Sequence, residues 1–221
     1  MQNDDSQPDD QQLTAAEGTL MGRVRRALEI TEGVEIARRY FVINAFDGAL
    51  TMLGLLLAGL ASMAVLAPRT ALSTTLLAAM GTSTAMAISG FSGAYLAETA
   101  ERNREVDEMQ KAKQSQQSMS SYEDAVQTTS LVIAAVDGIA PLLAASAIMF
   151  PLVLASVGLL DSSVGFDLAV AICMVVLALL GVFLGRISGK DVWVFGVVTL
   201  LAGICTALVM FVFLLATSAV G

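Results

Sequence analysis

Three aspartates interrupt the long apolar runs of this 221-residue chain: Asp167 stands at an end that would lie at the interface, and Asp47 and Asp137 stand deeper. A carboxylate at the centre of a membrane span costs roughly 2.5 to 3.5 kcal/mol, less near an end, so such a residue faces a partner or a watery cavity. Their surroundings repeat. Val42-Ile43-Asn44-Ala45-Phe46-Asp47-Gly48 aligns with Val132-Ile133-Ala134-Ala135-Val136-Asp137-Gly138, five of seven positions being identical. Each aspartate lies about six residues, or roughly 9 Å, inside the N-terminal end of its run. Two related helices would bring them to one depth. Converging carboxylates make a site for a hard or borderline divalent cation such as Mg, Mn or Fe(II). The alternative is that each aspartate caps an interrupted helix or bonds a neighbouring serine, and the repeat records ancestry alone.

A second set of carboxylates, Glu98, Glu101, Glu105 and Glu108, recurs at spacings of three and four and shares one face of a helix. The stripe could collect cations. It could also be an ordinary solvated face, because Glu98 can pair with Arg102, Glu101 with Arg104, and Asp107 with Lys111.

The elements that would carry these residues are membrane spans. Hydrophobic residues make up 56% of the chain against 14% charged, and mean hydropathy is +0.73, whereas a soluble domain carries about a quarter charged residues. Stretches 41–67, 71–97, 131–160, 164–185 and 192–220 each reach the roughly 20 residues needed to cross about 30 Å of hydrocarbon. The fold class is therefore all-α, a polytopic membrane protein with five transmembrane helices. The repeat predicts a duplicated helical hairpin, spans one and two over spans three and four, followed by a fifth helix. One span separates the copies, so the repeat is parallel.

Orientation follows from Lys and Arg. Eleven of the twelve fall before the first span, between the second and third, or between the fourth and fifth, and Arg69 alone falls on the other side. This predicts an integral protein of the cell membrane with a cytoplasmic N-terminus and the C-terminus outside. Residues 1–13 read as a disordered acidic tail. Over 14–39, Leu20, Val24 and Leu28 recur every four residues, and Thr14 with Glu17 forms a capping box. The segment reads as an amphipathic helix on the cytoplasmic leaflet, or one packed on the protein's own loop. Segment 98–130 reads as the acidic helix and a linker, with 113–121 a flexible polar connector.

Other chemistry is sparse. With no histidine, His-based metal sites, proximal-His haem and His triads are excluded. Cys173 and Cys205 stand alone, the net charge is −8, and no nucleophile–base set or phosphate loop is present. Neither an enzyme nor a nucleic-acid partner is expected. The eleven methionines offer soft thioethers but serve more often as apolar filler.

Three motifs then resemble one family. Arg39 through Asp47-Gly48, Thr51 and Leu57-Ala58-Gly59-Leu60 is similar to the first helix of the vacuolar iron transporter family. Gly138-Ile139-Ala140-Pro141-Leu142-Leu143 resembles its third helix. Leu180-Gly181 through Gly185-Arg186-Ile187-Ser188-Gly189-Lys190 resembles the turn between its fourth and fifth. The resemblance implies a homodimeric exporter of Fe2+, often also Mn2+, from the cytosol by proton antiport, with a pathway at the dimer interface and Asp47 as the first-helix ligand. The metal is cargo, and no resident cofactor is implied. Asp137 would be the second ligand or a proton site, and Glu98, Glu101, Glu105 and Glu108 the collecting surface. Where the family's second helix commonly reads Ser-Met-Ala-Ala-Gly-Glu-Tyr, this chain reads Ser89-Gly90-Phe91-Ser92-Gly93-Ala94-Tyr95. Methionine and glutamate are both missing, and Glu98 is the nearest carboxylate that follows. That departure keeps a second reading open, a transporter-like scaffold or accessory subunit without transport.

Overall fold

The computed structural model describes residues 20–111, 116–189 and 191–218. These form six helices and, among the described residues, no strand: α1 (Leu20–Ile30), α2 (Gly33–Ser62), α3 (Pro68–Lys111), α4 (Gln116–Ser156), α5 (Ser162–Ile187) and α6 (Val192–Ser218). Helices α2 to α6 are each long and apolar enough to cross a membrane, and the five expected spans fall on them. The chain is an all-helical integral membrane protein. The acidic tail, the Thr14–Glu17 pair, Lys113 and Lys190 lie outside the described residues.

Two helices outrun the sequence expectation. α3 has 44 residues, about 66 Å at 1.5 Å per residue, and begins on Pro68, a residue suited to the first helical turn because its missing N–H has no partner there. α4 has 41 residues and already includes Gln116 to Ser121, where a flexible connector was expected. That stretch holds no glycine or proline to interrupt the helix, and Tyr122 just beyond it is tied to Glu105.

The expected single helix over 14–39 is instead divided. α1 stops after Ile30, where the Thr31 backbone N–H and hydroxyl both donate to the Ala27 carbonyl, at 3.1 and 2.8 Å. Glu32 takes a left-handed φ of 53°, and α2 starts at Gly33. A Cβ on Gly33 would lie 2.5 Å from Thr129 Cγ2 and 2.8 Å from Leu28 Cδ2. The corner depends on glycine, and residues 33–39 belong to the first long helix.

The described chain forms two compact units. One takes the chain up to Tyr40 with Phe91–Val136, the other Phe41–Gly90 with the chain from Asp137 onward. In the second unit Met52, Leu56, Leu72, Ile148, Leu152 and Phe166 are fully buried, and the Cys173 thiol donates to the Ala49 carbonyl at 3.3 Å. α5 and α6 pack with almost no side chain between them. A Cβ on Gly185 would lie 2.7 Å from Val192 Cα, and one on Gly181 would lie 2.8 Å from Gly196 Cα. Small residues permit this approach where lipid supplies no hydrophobic drive.

Candidate functional site

Each unit holds one group of chemistry-bearing residues. In the second unit, α2 carries Asn44 and Asp47 one turn apart, and α4 carries Asp137. Asp137 is buried, 4% exposed, and accepts a hydrogen bond at Oδ1 from the Asn44 amide. On its other side α3 presents Gly90, whose missing side chain leaves the space that Asp137 fills. A Cβ there would stand 3.1 Å from Asp137 Oδ2 and 3.2 Å from its carbonyl oxygen. The adjoining Gly48 does the same for Pro141, since a Cβ on it would lie 2.9 Å from the Pro141 Cα. The two Asp-Gly pairs thus lie on helices that meet closely.

The paired aspartates are not equivalent. Asp137 is enclosed and bonded, whereas Asp47 is exposed on the flank of α2. Asn44 was not singled out by sequence reasoning. The signal was there: it is one of the two positions where the repeat differs, a polar amide set against Ala134.

In the first unit a cavity of about 720 Å³ is lined by six carboxylates, Glu32, Glu35, Glu98, Glu101, Glu105 and Glu108, against the guanidiniums of Arg39 and Arg102. The glutamate stripe therefore borders one cavity, joined by two glutamates from the α1–α2 corner. Its members differ. Glu98 is 4% exposed and sits 3.4 Å from the equally buried Arg102. Glu105 lies 4.0 Å from Arg102 and accepts a 2.6 Å bond from the Tyr122 hydroxyl. Glu108 pairs with Arg104 at 3.2 Å, and Glu101 is exposed. Arg102 also donates to the Thr31 carbonyl at 3.3 Å, tying α3 to the corner. Burial raises the Tyr122 phenol above its ordinary range, and its bond to Glu105 adds to that.

Comparisons with protein-family models, with curated proteins and with solved structures return no match. The chemistry must therefore be read from the residues themselves. Among the described residues no three Asp, Glu or Cys side chains converge closely enough to hold a metal ion. The acidic cavity has the charge to concentrate cations. Its two arginines neutralise part of that charge, and Glu98 in particular is committed to Arg102.

Proposed function

We propose that this protein is a membrane transporter that exports a divalent cation, Fe2+ and also Mn2+, from the cytosol by proton antiport, in the manner of the vacuolar iron transporters it resembles. The observation that carries this reading is the placement of Asp47, an exposed carboxylate within the apolar stretch of α2. A charge there needs water or a second protein surface beside it, and intramembrane carboxylates mark ion pathways. A homodimer would supply that surface. Asp47 would meet the cation, Asp137 would act as second ligand or proton site, and Glu98, Glu101, Glu105 and Glu108 would draw cations to the entrance. The same reading makes α2 to α5 a duplicated hairpin with α6 as the added helix. It sets α1 at the leaflet surface, the N-terminus in the cytosol and the C-terminus outside the cell membrane, a topology that the arginine and lysine distribution supports.

A second reading is a transporter-like scaffold or accessory subunit. It is favoured by the lack, among the described residues, of three converging metal-ligating side chains and by the pairing of Glu98 with Arg102. Flux of Fe2+ and Mn2+ across proteoliposomes, with and without a pH gradient, separates the two. Under the transport reading the wild type moves metal, and Asp47→Asn reduces flux at least tenfold, about 1.4 kcal/mol or more of lost cation stabilisation. A wild type inert under every gradient would leave the scaffold reading.

A further inference from the structure

Two cavities of the first unit share residues. One, of about 530 Å³, is lined by Arg23, Arg26 and Ile30 of α1 together with Asp124, Gln127 and Thr128 of α4. The other, of about 370 Å³, is lined by Phe91 and Tyr95 of α3, by Leu131 of α4, and again by Gln127 and Thr128. They adjoin at Gln127 and Thr128, with two guanidiniums in the first and two aromatic rings and a leucine in the second. Asp124 opens the apolar stretch of α4, and Leu131 stands about 10 Å further along the helix. The polar end therefore lies at the margin of the span and the apolar end inside it.

We propose that these adjoining cavities act as one groove and hold one anionic phospholipid of the bilayer, its phosphate on Arg23 and Arg26 and the start of an acyl chain along Phe91, Tyr95 and Leu131. The polarity of the groove changes in the same order as that of a phospholipid. Among the described residues Arg23 has no hydrogen-bond or ion-pair partner, and a guanidinium fork matches phosphate oxygens bidentately. The Asp124 carboxylate, on α4, lines the same end and opposes an anion, so the phosphate would sit on the α1 side, where the guanidiniums are. A soluble phosphate would leave the apolar half unfilled, where Phe91 is 41% and Leu131 52% exposed. Only the membrane location is required for this site, not transport. Asp47→Asn is expected to leave lipid binding intact, so the two readings fail separately.

Native mass spectrometry of the full chain released from detergent, titrated with phosphatidylglycerol or with phosphatidylcholine of the same acyl chains, counts bound lipid. Phosphatidylglycerol is expected to bind the more tightly. Arg23→Gln combined with Arg26→Gln should weaken it roughly 25-fold, at about fivefold for each basic residue at a membrane surface. Arg25→Gln is the control, since Arg25 lies outside the groove and pairs with Glu29 at 2.8 Å. Thr128→Phe, which fills the junction of the two cavities without changing charge, should weaken both lipids. Equal binding of the two lipids, an equal loss with Arg25→Gln, or displacement by excess inorganic phosphate would each overturn the proposal. All three arginines are exposed, so the substitutions leave the helices in place, as far-ultraviolet circular dichroism checks.

Discussion

The Asn44 amide donates to the buried carboxylate of Asp137, joining α2 to α4 across 93 residues of sequence. A buried acceptor that loses its donor costs about 1 to 3 kcal/mol, and more when it is charged. Asn44→Ala is therefore expected to lower the melting temperature in detergent clearly. Asn44→Gln, which keeps the amide on a longer arm, should lose less. A thermal series by size-exclusion fluorescence checks this, and equal melting of Asn44→Ala and wild type would remove the bond from the account.

Gly90 makes room for the same carboxylate. Alanine there would place a methyl 3.1 Å from Asp137 Oδ2, a contact that a few tenths of an ångström of movement relieves. A bulkier Gly90→Val forces Asp137 to move, and overpacking of this kind costs about 1 to 3 kcal/mol. The expected order of stability is wild type, then Gly90→Ala, then Gly90→Val. If Asp137 serves ion movement, Gly90→Val should also reduce flux more than its loss of stability accounts for.

Much of this arrangement was legible in the sequence, and its gaps have identifiable causes. Five apolar runs and the Asp-Gly repeat are local patterns, and they led directly to the spanning helices and to Asp137. The partner of Asp137 was not legible, because a contact 93 residues away leaves no periodic trace. Nor did the repeat show that Asp47 faces outward while Asp137 is enclosed, since two similar heptapeptides say nothing about what packs against them. The break at Thr31–Glu32 was masked because two polar residues also fit the solvated face of a continuous helix. Only Gly33 marked it, and one glycine in a helical pattern is a weak sign.

Arg102 is the centre of the acidic cavity's structure. It stands 3.4 Å from Glu98, and both side chains are about 95% buried. Removing one partner of a buried pair strands the other charge at a cost of about 3 to 5 kcal/mol. Arg102→Leu should therefore be strongly destabilising, and Glu98→Gln in the same chain should recover part of the loss. A double-mutant cycle on thermal stability measures the coupling, and strict additivity would mean that the two charges do not interact.

Tyr122 supplies a pH dependence. Its phenol is raised by burial first and by its bond to Glu105 second. The folded chain therefore holds this proton more tightly than the unfolded chain does. The resulting stability is complete below the ordinary phenol range and is lost as pH rises through the raised value. Phenolate absorbance should show a late-titrating step, and Tyr122→Phe should abolish it. A titration unchanged by Tyr122→Phe would contradict the assignment.

The glycine seam between α5 and α6 bears on how the protein is made. α6 meets α5 backbone to backbone at Gly181 and Gly185, and only 11% of its most apolar window is buried. A helix that hides so little of itself can leave the insertion machinery alone, already stable in lipid, and find its place afterwards by sideways diffusion. Assembly then has two stages, insertion followed by zipping along the seam. A bulky side chain at Gly181 would spare the first stage and block the second, leaving a chain fully inserted in the bilayer with one helix adrift.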